Sequence, residues 1–440
     1  MDEPKNGKPA LKLISDKGKK SQKSQGGREG PGALIMALGG MPILKAVKLM
    51  TNDLKDKDLA SKLFYQLGQA YSHGRDVPKD LAEARKWYLM AADLGDALSR
   101  YSLGVLWAYG QGGPKDAREA EKWLRLAAEQ GLPEAQFALA VTLDDGRGTA
   151  EAVKWLRLAA EKGLAVARSN LGFIYANGQG SVPQDDFEAV KWLRLAAEDD
   201  VPEASYMLGR MLLLGRGGRQ DRVEALKRFK FAAERDIVHA QFELALILRD
   251  TMEARRDPAG ALKWLRKAAE AGLVEARREL GLMLLRGEGG PADPAAAVKW
   301  LRLAADAGDG AARSHLGFLY KIGRGVPQDL DEALKLFRLA DEGGEVMGLF
   351  NIGLMHHQGV GVPQDDRKAV ECFRRAAERG HRDSMINLAY LLERGLGAPQ
   401  DLEEAQRWRS EAEKVGASSV STDFLSGKDP FKGASGSRKH

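Results

Sequence analysis

The side chains of this chain that could do chemistry are seven histidines, one cysteine and many carboxylates, and their spacing decides what each could do. A metal site needs ligands that converge, as two histidines four apart on a helix do. His356 and His357 are instead adjacent, so on a helix they diverge, and no H-E-x-x-H run or i, i+4 histidine pair occurs. Cys372 stands alone, which leaves no internal disulfide and no C-x-x-C site, a usage compatible with a reducing compartment. Gly178-Gln179-Gly180 and Gly323-Arg324-Gly325 resemble phosphate-loop fragments, but a dinucleotide fingerprint follows a strand, and here a helical pattern stands on both sides. The carboxylates recur at a fixed interval along the chain, and no two are uniquely paired as acid–base work would require. These residues therefore predict no reaction, no cofactor and no metal.

The elements that carry these residues explain the recurrence. The stretch EAVKWLRLAAE appears at Glu151–Glu161 and again at Glu188–Glu198. In register, its tryptophan site is Trp87, Trp123, Trp155, Trp192, Arg228, Trp264, Trp300, Leu336, Cys372 and Trp408, with successive spacings close to 36 residues. An upstream anchor leucine site runs from Leu67 through Leu103, Leu139, Leu171, Leu208, Leu244, Leu280, Leu316 and Ile352 to Leu388. Around the anchor, Ala167, Leu171, Ile174 and Tyr175 have helical spacing; around the tryptophan, Ala152, Val153, Trp155, Leu156, Ala159 and Ala160 share one arc. Each unit is thus two amphipathic helices. The tryptophan is expected on the buried arc, where Leu336 and Cys372 replace it, and Phe229 and Phe231 are expected to compensate for Arg228.

Local chemistry marks the ends. Glycines such as Gly178 and Gly323, seven after the anchor, and Gly163 and Gly308, eight after the tryptophan site, suit helix stops that need a left-handed residue. Asp80, Asp116, Asp185, Asp221, Asp257, Asp293, Asp329, Asp365 and Asp401 are placed to cap second helices, and pairs such as Asp80 with Glu83 predict capping boxes. The small residue after the anchor, for instance Gly172, predicts a close approach of the neighbouring helix.

Units such as Ala312 to Gly344, with alanine four before the anchor, L-G at Leu316-Gly317, G-x-G-V-P-x-D from Gly323 to Asp329 and the second-helix alanine, resemble the Sel-one-like repeats, relatives of the tetratricopeptide repeats. The resemblance implies an all-α fold, an open α/α superhelix or solenoid of about ten helix-turn-helix repeats of about 36 residues. It also implies an adaptor for protein complexes and no reaction. Residues 59–416 carry the repeats, with a basic tail at 1–30, an apolar segment at 31–58 expected to cap the array, and a tail at 417–440. Both tails have the composition of disordered segments.

By analogy with the tetratricopeptide relatives, the first helices are expected to line a concave groove, exposing positions two before and two, five and six after the anchor, with packing between repeats as the alternative for the aromatic residues two before it, such as Tyr65, Phe137 and Phe350. The partner-binding candidates there are Asn177, Arg249, Arg286, Lys321, His357, Gln358, Glu393 and Arg394, which vary from unit to unit as a surface shaped for one partner would. The partner expected is a protein or peptide. Specific nucleic-acid binding is not expected, because acidic residues offset the basic ones of each second helix.

Residues 1–30 hold eight Lys or Arg against four Asp or Glu, and residues 417–440 add about +2, so the formal charge of +5 belongs to the ends. The apolar run Ala33 to Leu44 is too short to span a bilayer, which takes about 20 residues. With the upstream lysines it offers a membrane-peripheral alternative through residues 1–50. The cytoplasm is the expected compartment, with a membrane surface or export as alternatives. Two units depart from the pattern: one loop between Leu139 and Trp155 is short, and Arg249-Asp250-Thr251-Met252-Glu253 replaces the glycines of another. Both are expected to be weak points of the stack.

Overall fold

A computed structural model describes residues 57–75, 77–144, 149–180, 182–249 and 256–415. The expectations for the tails, for the apolar run within 31–50 and for the irregular loops at 145–148 and 250–255 concern residues outside that set. Every regular element among the described residues is an α-helix. The ten first helices are α1 (Lys57–His73), α3 (Ala97–Tyr109), α5 (Pro133–Leu143), α7 (Ala165–Asn177), α9 (Pro202–Leu214), α11 (Val238–Arg249), α13 (Val274–Arg286), α15 (Gly310–Ile322), α17 (Val346–Gln358) and α19 (Arg382–Arg394). The second helices are α2 (Leu81–Asp93), α4 (Ala117–Glu129), α6 (Ala150–Glu161), α8 (Asp186–Glu198), α10 (Arg222–Ala233), α12 (Pro258–Glu270), α14 (Pro294–Asp306), α16 (Leu330–Glu342), α18 (Asp366–Glu378) and α20 (Leu402–Lys414). Two units form, one ending at Arg228 and the other starting at Phe229. Within each, a helix packs on its hairpin partner and on the next hairpin in the chain.

The stop and start signals act as expected. Gly110, Gly178, Gly215, Gly287, Gly323, Gly359 and Gly395 end first helices in the left-handed conformation. Second helices are followed by positive-φ residues as well, including Asp200 and Asp236, the described non-glycine residues with that geometry. The Asp80 carboxylate accepts from the Ala82 and Glu83 N–H groups, and Asp116, Asp185, Asp257, Asp293, Asp329, Asp365 and Asp401 cap likewise. The boxes, however, do not close. The Asp80 N–H donates to Tyr71 O at 2.9 Å, the Asp185 N–H to Tyr175 O at 2.9 Å and the Asp329 N–H to Tyr320 O at 3.0 Å, four residues after the anchor in each case. That bond ties the second helix to the first, and it frees the glutamate for another use. Glu119, Glu188 and Glu404 accept from the indole Nε1 of Trp123, Trp192 and Trp408 at 2.9, 2.9 and 3.1 Å.

These three tryptophans therefore pack with one polar edge near the surface, whereas the Trp87 Nε1 is buried without a hydrogen-bond partner. Trp87, Trp123 and Trp192 are buried, while Trp155, Trp264, Trp300 and Trp408 are half-buried. The deepest site is the residue after the tryptophan: Leu124, Leu156, Leu193, Phe229, Leu265, Leu301, Phe337 and Phe373 are at most 1% exposed. This is the group that meets the small residue after the anchor. A Cβ on Gly172 would lie 2.7 Å from Leu193 Cγ, one on Gly281 2.7 Å from Leu301 Cγ, and one on Gly353 2.7 Å from Phe373 Cε1.

Hairpins are stapled to one another by polar groups as well. Arg100, Arg168, Arg277 and Arg313, each three before the anchor, donate through Nε to Ala92, Ala160, Ala269 and Ala305 O at 3.1 to 3.2 Å. These carbonyls end the preceding second helix, where each also accepts from the N–H of the glycine three residues on. The second glycine of G-x-G has a related role, since a Cβ on Gly112 would collide with Leu81 O and one on Gly289 with Pro258 O, at the start of the previous second helix. The loop glycines thus serve turn geometry and close backbone approach.

Candidate partner-binding site

The first helices carry an edge that neither the hairpin nor the next repeat covers. The position two before the anchor is not part of it. Tyr65, Tyr101, Tyr206, Phe242 and Ile386 are half-buried, and Phe137, Ser314 and Phe350 are buried. Tyr65 meets Tyr88 at 5.9 Å and Phe350 meets Phe373 at 6.0 Å, each on the second helix of its own hairpin, and Phe350 also lies 4.9 Å from the His381 ring of the next, so this column is taken up by packing. The position one before the anchor, which the periodicity did not single out, is mixed: Gln66 is exposed, Ser102, Asn170, Glu279 and His315 are half-buried, and Ala138, Asn351 and Asn387 are buried. Six after the anchor the edge is open, with Tyr109, Asn177 and Leu214 exposed in the first unit and Arg286, Ile322, Gln358 and Arg394 in the second.

Of the sequence-derived candidates, Asn177 lies in the first unit, where its Nδ2 donates to Phe173 O at 3.0 Å. The other seven lie in the second unit, on α11, α13, α15, α17 and α19. Arg249 is already committed, donating to Glu279 on the next first helix at 2.7 Å. The His357 ring Nδ1 lies 2.6 Å from Asp366 Oδ1, with Tyr390 edge-on at 6.4 Å. Glu393 accepts from Arg409 at 2.7 Å. Arg394 lies over the Tyr390 ring at 4.6 Å, a cation–π contact at an exposed position. Arg286 meets Glu288 at 3.4 Å with its side chain 45% exposed, a weak surface pair. Gln358 is exposed and Lys321 half-buried, and neither side chain has a partner among the described residues.

Electrostatics set Lys321 and its helix apart. Burial lowers the Lys321 pKa from the usual lysine value, with no nearby charge acting on it. Burial pushes the His315 imidazole down to about 4, and the Arg286 and Arg278 guanidiniums add to the shift. His315 is therefore a neutral ring at physiological pH. Arg278 itself is held by Asp309 at 2.5 Å. The Cys372 thiol, half-buried at the tryptophan site, is pushed up to about 11 by burial, then by Glu371, which makes it a poor nucleophile. Among the described residues no group of three or more His, Cys, Asp or Glu side chains is arranged to hold a metal ion. No described helix is long and apolar enough to cross a membrane.

Elsewhere the openings are shallow. A cleft of about 270 Å³ lies between α3, α4 and α5, lined by Val105, Tyr109, Ala120 and Val141 among others. Another, on the second-helix side of the first unit, is lined by Arg85, Trp107 and Trp123, with the Arg85 guanidinium stacked 3.1 Å from the Trp107 ring centre. That stack occupies Trp107, the one tryptophan outside the register.

Comparison with known proteins places these features in a family. The model of the Sel1 repeat matches ten times, at residues 65–96, 97–132, 133–164, 165–201, 202–236, 238–273, 274–309, 310–344, 346–381 and 382–412. Among solved structures, c5321, a protective antigen present in uropathogenic Escherichia coli strains and displaying an SLR fold, is 29% identical with a TM-score of 0.73, over 84% of this chain and 82% of its own. A Sel1 repeat protein from Oxalobacter formigenes is 28% identical with a TM-score of 0.54, over 78% of this chain and 98% of its own. No curated protein is a significant match.

Proposed function

The chain belongs to the Sel1 repeat family, and on that premise we propose that it is a non-catalytic adaptor whose first-helix face holds a peptide or protein segment. Sel1 repeat proteins are helical-repeat scaffolds generally involved in protein interaction. The observation that carries the finer reading is the open edge of the second unit. Ile322, Gln358, Tyr390 and Arg394 are exposed there beside the half-buried Lys321, while the tryptophans and deep leucines of the second helices are consumed by packing. Apolar contacts with polar groups at intervals suit an extended segment, and a surface already formed by stacking needs little ordering to bind one.

A photo-reactive residue tests this reading. Placed at Gln358 in the full-length chain, p-benzoylphenylalanine should cross-link a partner in cells that make the protein. Placed at the exposed Lys299 on the second-helix side, it should not. Adducts at position 299 with none at 358 would show that the partner uses the other face.

A further inference from the structure

Repeats of one chain can be compared with one another, and that comparison isolates Lys321. Five residues after its anchor stands Arg249; thirty residues on, one before the next anchor, stands Glu279, and the two form an ion pair at 2.7 Å. The same register two repeats later places Lys321 and, thirty residues on, Asn351. Asn351 brings no charge: its Nδ2 donates to Met347 O in its own helix at 2.8 Å. Lys321 is half-buried, as Arg249 is, yet no carboxylate answers it among the described residues. A cation drawn partly out of water without a counter-charge is unfavourable, and a bound anion relieves it.

We propose that a carboxylate of an acidic peptide segment binds at Lys321 and supplies the counter-charge that Glu279 gives Arg249. This rests on the adaptor reading and names the chemistry of its partner. The surroundings favour such an occupant. Ile322 beside Lys321 is 38% exposed and offers apolar contact to the same segment. On the preceding first helix Arg286, whose charge acts on His315 of the Lys321 helix, keeps only a long pair to Glu288. The chain's own ends are the wrong sign: residues 1–30 hold eight basic against four acidic side chains, and residues 417–440 four against two. That net charge favours an acidic segment of a separate protein as the occupant.

An array of random 12-residue peptides, each present in a Glu and a Gln version, tests this with the full-length chain as the soluble probe. The unmutated protein should favour the Glu version of the peptides it binds by about tenfold, which is about 1.4 kcal/mol. Lys321→Met keeps the stem without the charge and should bring the Glu-to-Gln ratio close to one. Lys321→Arg should preserve the preference. Lys321→Met should also melt no lower than the unmutated chain, because it removes a desolvated charge that lacks a partner. Peptides bound with no Glu preference, or a preference that survives in Lys321→Met, would overturn this inference and leave the adaptor reading standing. If no peptide is retained at all, both fall.

Discussion

Replacing Gly172 tests the packing rule on which every repeat depends. A Cβ at this position would lie 2.7 Å from Leu193 Cγ, 3.0 Å from Leu193 Cδ2 and 3.1 Å from the Leu193 backbone N. Carbon pairs settle at about 3.5–4.0 Å, so the new atom is roughly an ångström too close to a side chain only 1% exposed. The backbone contact prevents relief by rotating Leu193 alone, so α7 and α8 must separate. Against this, alanine gains about 1 kcal/mol over glycine in a helix, while overpacking costs about 1–3 kcal/mol. Gly172→Ala should therefore destabilise by about 1 kcal/mol net. Valine adds two γ-carbons and a β-branched penalty, so Gly172→Val should cost about 3 kcal/mol. Urea unfolding followed by circular dichroism reads the shift in midpoint, and hydrogen exchange should show the lost protection concentrated in α7 and α8, since coupling in repeat arrays is mainly between neighbours. Adding Leu193→Ala to Gly172→Ala makes room, so the two changes should be less damaging together than their sum. A Gly172→Val chain with the unmutated midpoint and exchange pattern would refute the argument.

Two further outcomes follow from the polar staples and the helix stops. Asp186 accepts from Arg216 Nε at 3.0 Å and Nη2 at 2.6 Å, and this guanidinium holds the Asp186 carboxyl below the usual aspartate range. The stabilisation is present above the unfolded value of about 3.9 and is lost as pH falls through the lower folded value. Asp186→Asn should thus lower stability at pH 7 by about 1 kcal/mol and flatten the pH dependence of the urea midpoint below about pH 4; an unaltered pH profile would contradict this. Asp200 has φ 61°, where a side chain is strained, so Asp200→Gly should raise stability by about 1 kcal/mol, measured as a higher urea midpoint, and a lower midpoint would count against the assignment.

Much of the architecture was legible in the sequence because it is local. The position of Asp80 before its helix, of Gly323 after one, and of Gly172 beside an anchor leucine each reflect geometry set within a few residues. The register then repeats that geometry. Some misreadings have a physical cause as well. The Asp80–Glu83 pair has the letters of a capping box, but the Asp80 N–H is closer to a carbonyl of the first helix, and nothing in a linear motif reports that competitor. The column from Tyr65 to Ile386 allowed both groove lining and packing, and contact with the second helix of its own hairpin, joined at Phe350 by His381 of the next, decides for packing.

The candidate site was harder to read. Arg249 and Lys321 occupy equivalent positions and look alike in sequence. One is neutralised by Glu279 from the next repeat and the other is not, a difference that appears only when residues thirty apart are brought face to face. His315 and Glu279 were missed for the same reason, though a polar residue just before an anchor leucine was a signal available in the register. The sequence by itself determined that the chain is a run of helical hairpins, where each helix begins and ends, and which small residues admit a neighbour, because these depend on backbone conformation and the helical period. Which polar side chains are spent on holding hairpins together, and which are left facing outward, was decided by the stacking, because a period makes positions equivalent without saying what stands across from them.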